Sequence, residues 1–279
     1  PVFTMTTDEN STFQVLEVAQ HLLTTGEADA VLVGAVDLAG GVENVLLHNQ
    51  FAPINQGVNT LGYDEKSDGW VVGEGAGAVV LKSHETVKQG KDKIYAVIDT
   101  INFTQQEDNL GTPNASCIHE VCQQALLNAG VNNTDINYLE VVGSGTPQKD
   151  EVEIDGLIQA YANGSSNLTC AIGSVKANIG HTHVASGIAS LIKTALCLYH
   201  HYIPVTPKWT GVKNQTQWHG SPFYVATESR PWFLEKQAGK RMAAINGIGA
   251  NGSYAHIILS EEEASIKQGV ERKRGVEKK

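Results

Sequence analysis

The side chains of this sequence that can do acid–base or covalent chemistry sit mostly in or beside four glycine-bearing segments. They are LGYDEKSDGWVVGEGAGAVVL (61–81), LEVVGSGTPQKDEVEIDGL (139–157), GSVKANIGHTHVASG (173–187) and INGIGANGSYAHIILSE (245–261). Glycine clusters of this kind mark tight turns or close approach of backbones, which is where a site is expected. Gly73-Glu74-Gly75-Ala76-Gly77 enters a strand pattern rather than a helix, so it does not read as a dinucleotide fingerprint. Cys117, Cys122, Cys170 and Cys197 lack C-x-x-C spacing, which argues against a zinc ribbon or a disulfide framework and for buried free thiols. His119, His183, His200, His201 and His219 show no ligand-like spacing, so no metal site is expected from them.

The elements that must position these turns alternate between short β-like runs and helix-period segments, the pattern of a layered α/β fold. Residues 2–7 read as extended, and Asp8-Glu9-Asn10-Ser11 supplies cap-type residues before a helix at 13–23. Residues 29–36, 75–81, 94–103, 138–142 and 170–175 read as strands. Residues 116–128 form an amphipathic helix and 189–199 an apolar, central one. Strands at 242–247 and 253–259 flank Gly249-Ala250-Asn251-Gly252, where Asn-Gly predicts a tight hairpin. No repeat of 20 to 50 residues is present.

With 279 residues and 41% hydrophobic content, the chain can bury a substantial core. No apolar run of membrane-spanning length and no signal-peptide pattern is present, so a cytoplasmic protein without a membrane partner is expected. A formal charge of −10 opposes nucleic-acid binding, because phosphate contact needs a basic surface. The stretch 266–279 differs, with six Lys or Arg against two Glu, and reads as a linker or a basic contact segment.

Together, in this order, the four segments resemble the β-ketoacyl synthase family over nearly all of residues 1–260. KANIGH before a small-residue helix, and GEGAGAVVL after Asp68-Gly69, are the most specific parts. The resemblance implies a thiolase-like layered α-β-α-β-α fold. It assigns 1–104 to the end of an N-terminal half that includes the nucleophile turn, 105–260 to a C-terminal half, and 261–279 to a charged tail. It further implies that earlier strands of the fold are missing from this chain, which would leave an open sheet edge and an exposed core face.

Members of that family use a cysteine at a helix N-terminus to take up an acyl chain, and two histidines to decarboxylate the extender and stabilise the oxyanion. LTTGEAD (23–29) resembles the family's L-x-x-G-E-x-D, and counting back from it puts Glu9 at the cysteine position. Leu139 to Thr146 matches V-E-A-H-G-T-G-T and puts Val142 at the first histidine. Lys176 to His181 matches K-x-N-I-G-H, so Lys176 and the second histidine, His181, are retained. Ile248 stands where the family's G-F-G-G has its gating phenylalanine, and Asn251 replaces a glycine. Asp64, Asp68 and Glu74, an acidic loop at first sight, become structural turn residues under this resemblance.

The resemblance, with these replacements, implies a chain that has lost condensing activity. The subgroup it resembles most is the chain-length factor of polyunsaturated fatty acid and polyketide synthases, which pairs with an active ketosynthase. An acyl carrier protein would be a further partner, and its phosphopantetheine arm a transient ligand in place of a bound cofactor. Ser144 and Thr146 would contact that arm or cap their turn. Glu9 would fill the vacated nucleophile position or, with His181, decarboxylate a malonyl carrier protein. A purely structural dimer scaffold is the third reading.

Overall fold

The computed structural model describes residues 2–89, 92–107, 111–162, 167–234 and 239–262. The basic stretch 266–279, and with it the expected tail beyond 262, lies outside the described residues. In chain order the elements are α1 (Ser11–Thr24), β1 (Val31–Asp37), α2 (Val42–His48), β2 (Gly75–Leu81), α3 (His84–Gln89), β3 (Val97–Gln105) and α4 (Ala115–Ala129). There follow β4 (Tyr138–Glu140), α5 (Pro147–Tyr161), β5 (Cys170–Gly173), α6 (Lys176–Ile179), α7 (Ser186–His200), β6 (Tyr202–Ile203), α8 (Gln215–Trp218), β7 (Phe223–Val225), β8 (Arg230–Pro231), β9 (Met242–Ile248) and β10 (Ser253–Ser260).

A six-stranded sheet runs β3-β10-β9-β4-β5-β7. The pairs β3–β10 and β10–β9 are antiparallel, whereas β9, β4, β5 and β7 run parallel. β3 therefore adds its residues 97–105 to a sheet built otherwise from later strands. The short strands β4 and β5 are buried at every position, as strands covered on both faces must be.

One face carries α4 and α5, whose Ile118, Val121, Ile154 and Leu157 pack with Leu139, Ile172 and Ile258 of the sheet. The other carries α1 and α7, whose Phe13, Leu16, Ile188 and Leu191 pack with Ala171, Ile245 and Ile257. Beyond α1 and α7 lies an antiparallel pair, β1 with β2, giving the order helix, sheet, helix, sheet. The outer face of that pair is apolar and open, with Leu32, Val36 and Val80 exposed.

Helix α5 is not evident from periodicity. Its buried face includes Asp150 and Glu153, so polar residues occupy positions where an apolar stripe is looked for. Residues 2–7 carry no strand pairing among the described residues. The expected cap of α1 also differs. The Asn10 side chain makes no cap bond, and its amide nitrogen donates instead to Ser253 O and Oγ, both at 2.9 Å.

Candidate functional site

The ends of β4, β5 and β9 open on one side of the sheet, and the turn before α1 closes against them. That turn is pinned to the β9–β10 hairpin. Asp8 Oδ2 accepts from Asn251 N at 3.3 Å, and Glu9 Oε2 accepts from Ala250 N at 3.0 Å. Asn251 holds the hairpin in turn, its Oδ1 accepting from Ser253 N at 2.9 Å.

The turn after β4 is fixed from below by one carboxylate. Glu153 Oε1 accepts from Val142 N at 2.9 Å and from Asn246 Nδ2 at 2.7 Å, and its Oε2 accepts from Gly143 N at 2.9 Å. Ser144 is spent on the same turn. Its hydroxyl donates to Asp150 Oδ1 at 2.9 Å and accepts from Thr146 N at 3.1 Å. These two bonds cap the turn.

The turn after β5 owes its place to close backbone contact. A Cβ at Gly180, which has φ +79°, would collide with Val72 O. Any larger residue would push the two strands of chain apart, and L-residues rarely adopt that φ. The contact lets His181 N donate to Val71 O at 2.7 Å. Gly145, at φ +83°, meets Gly69 O in the same way, so the glycine-bearing segments touch backbone to backbone. Asp64 accepts from Thr210 Oγ1 and Lys66 N, both at 2.8 Å. Asp68 accepts from Gln56 N at 2.8 Å, and Glu74 from Gly40 N at 2.9 Å. All three acids are thereby committed to holding loops.

A cavity of about 300 Å³ results, bordered by Glu9, Val142, Ser144, Thr146, His181 and Ile248 among others. Lys176, which is buried, borders a smaller hollow alongside Glu9, Val142 and His181. Burial pushes the Lys176 ammonium down, against the opposing pull of Glu140, Glu153 and Glu9. Burial, and then Lys176, hold the His181 imidazole well below the usual histidine range, so it is neutral at pH 7. His181 Nδ1 accepts from His183 N at 3.0 Å. A neutral ring that accepts at Nδ1 carries its proton on Nε2.

His183 is the residue that spacing does not disclose. Its ring stacks on His181 at 4.7 Å and on His48 at 4.4 Å between centroids, with the Trp70 ring 5.3 Å away and tilted against it. Its backbone has φ +39°, and its pKa is lowered by burial and by His48. The only signal in the sequence is its place two residues after His181. Glu9, His181 and His183 form the one group of three potential metal ligands among the described residues, with ligand atoms within 4.8 Å of one another.

Asp150, also on the cavity wall, is buried, and its Oδ2 has no hydrogen-bond partner. The nearest cation, Lys213 Nζ, is 4.0 Å off. Burial and the neighbouring Glu153 push its carboxyl up to about 7. Since an unfolded aspartate titrates near ~3.9, the folded state holds an extra proton between these values, and stability falls as pH rises through 7. Asp150→Asn removes that titration. The variant is expected to exceed the wild type at pH 8 by roughly 2–4 kcal/mol, with the gap closing towards pH 4. Urea unfolding at the two pH values checks this, and a gap independent of pH would refute it.

Comparison with known proteins adds the family. The profile of the β-ketoacyl synthase N-terminal domain matches residues 1–87, and that of the β-ketoacyl synthase C-terminal domain matches 95–210. A component of the phenolphthiocerol/phthiocerol polyketide synthase of Mycobacterium tuberculosis is 35% identical over 266 residues, covering 90% of this chain and 17% of that protein. Polyketide synthase PksM of Bacillus subtilis is 31% identical over 262 residues, covering 90% and 6%. The chain thus spans a small part of these relatives.

Among solved structures, the ketosynthase from module 6 of the Bacillus subtilis bacillaene synthase aligns with a TM-score of 0.84 at 30% identity, covering 92% of this chain and 47% of that one. The oxazolomycin ketosynthase domain OzmH KS7 of Streptomyces albus aligns at 0.86 and 28%, covering 94% and 47%. The α/β layers are therefore those of the thiolase-like ketosynthase fold. By both of its domain profiles and by these likenesses to polyketide synthases, the chain belongs to the β-ketoacyl synthase family.

Proposed function

We propose that this chain is a non-condensing, chain-length-factor-type partner of an active ketosynthase in polyketide or fatty-acid chain elongation, and that it helps to set acyl length. The observation that carries the reading is that Glu9 and Val142 border one cavity with the retained His181. The two replaced positions thus belong to a single site. A carboxylate there cannot hold an acyl thioester, and a valine offers no proton or hydrogen bond. The likeness to polyketide synthases supports an acyl carrier protein as the second partner. The phosphopantetheine arm would reach the cavity past Thr146, since the Ser144 hydroxyl is already committed to its turn.

Decarboxylation of a malonyl group is disfavoured by the same geometry. The Glu9 carboxylate borders the cavity that a malonyl thioester would have to enter, and its negative charge opposes a second carboxylate there. Ile248, which borders both hollows, is the position from which length is best probed. With the full-length protein paired with its ketosynthase, Ile248→Trp is expected to shorten the products by at least two carbons on average. Product profiles by mass spectrometry decide the matter. An unchanged profile in a folded variant would remove the length-setting role.

A further inference from the structure

Three features of the cavity are unused by a partner that merely occupies space. Glu9 is anchored through Oε2 to Ala250 N, and its Oε1 makes no hydrogen bond among the described residues. His181 presents an Nε2 proton, because its Nδ1 is occupied by the His183 amide. One side-chain N or O atom each of Glu9, His181 and His183 lies within 4.8 Å of the others, and no hydrogen bond joins either imidazole to the carboxylate among the described residues. That gap suits one water molecule or one carbonyl oxygen between donor and acceptor.

The same three side chains satisfy the distances of a metal site. Ligation through His181 Nε2 would require its proton to move to Nδ1, where the His183 amide already donates. Hydrogen-bond donation is therefore the role this geometry gives to His181.

We infer that the cavity hydrolyses acyl thioesters, with Glu9 as general base and His181 Nε2–H as the donor to the developing oxyanion. This rests on the reading that the cavity admits an acyl-pantetheine group. Glu9 Oε1 takes a proton from water as the water oxygen bonds to the thioester carbon, and the carbonyl electron pair moves to its oxygen, where His181 holds it. The intermediate collapses with cleavage of the carbon–sulfur bond. The electron pair leaves on sulfur, which takes the proton from Glu9, so that thioester and water become a carboxylic acid and a thiol. The His183 amide on Nδ1 leaves Nε2 as the donating atom of the ring. The Glu9 charge selects substrates without a second carboxylate near the thioester. Hydrolysis of this kind would clear stalled or misloaded chains from the carrier.

The test uses the full-length protein with octanoyl-pantetheine and malonyl-pantetheine, following thiol release with a thiol-reactive dye. Octanoyl-pantetheine is expected to be cleaved faster than in buffer and faster than the malonyl thioester. Glu9→Gln, which keeps the shape and the Ala250 contact, should lower the rate at least ~100-fold, and His181→Ala ~10-fold or more. Glu9→Asp, with its carboxylate drawn back by one methylene, should fall between. Equal rates in wild type and a folded Glu9→Gln protein would overturn the inference. So would faster cleavage of the malonyl thioester, or a rate that depends on added zinc and vanishes with a chelator. Absence of hydrolysis together with absence of condensation would overturn hydrolysis alone. Condensation by the Glu9 protein would overturn the parent reading.

Discussion

Glu9→Cys is expected to turn a position that carries no acyl group into one that does. With the full-length protein and an acyl-pantetheine donor, mass spectrometry of the peptide containing residue 9 should show the acyl adduct in the variant and none in the wild type. Position 9 lies in the turn just before α1 and borders the cavity, so a thiol there meets an incoming thioester with a helix N-terminus behind it. Losing the Glu9 contact to Ala250 N should cost about 1 kcal/mol, too little to unfold the turn.

Acylation alone does not give condensation, because Val142 leaves His181 as the single family imidazole. Adding Val142→His places a second one on the cavity wall, and the backbone of that turn is already fixed by Glu153. Condensation with a malonyl thioester should then rise by about 10²–10⁴ over Glu9→Cys alone. An unmodified residue-9 peptide in a folded Glu9→Cys protein would show that Glu9 does not occupy the acyl-accepting position.

The largest expected loss of stability comes from Glu140. Its carboxylate is fully buried and is bonded to Tyr138 OH at 2.7 Å, Lys193 Nζ at 2.8 Å and Val175 N at 2.6 Å. Glu140→Ala leaves the Lys193 charge, a phenol and an amide without their acceptor, at an expected cost of about 3–5 kcal/mol. The double variant Glu140→Gln with Lys193→Met removes both charges and should recover most of that loss. Urea unfolding of the single and double variants measures the difference. A loss below about 1 kcal/mol for Glu140→Ala would mean that the network carries no weight. The effect reaches the site as well, since Val175 precedes Lys176 and β4 leads into Val142. A Glu140→Ala protein kept folded at low temperature should therefore still show a loosened cavity wall.

By itself the sequence determined the layered α/β class and the placing of most strands, because β1 and β2 are almost wholly small and branched apolar residues and β9 and β10 flank a glycine-bearing Asn-Gly turn. Glu9, Val142, Lys176 and His181 were singled out by the resemblance of its motifs to those of the β-ketoacyl synthase family, which gives each a position to be matched or counted to. It could not place α5, whose inward positions include Asp150 and Glu153. Those acids are buried because Val142, Gly143, Ser144 and Asn246 bring donors to them from elsewhere in the chain. Nor could it assign His183, which stands among residues with no ligand spacing and acquires neighbours only when α2 delivers His48 and the 70s loop delivers Trp70. The turn bonds of Ser144 and the His183 amide on His181 Nδ1 join residues no more than six apart, yet they too depend on the folded backbone of their turns rather than on motif spacing. Motif spacing records which residues share a stretch of chain, whereas the donors that hold Glu9 and Glu153, from Ala250 and Asn246, and the rings that stack on His183 come from segments brought together only by the fold.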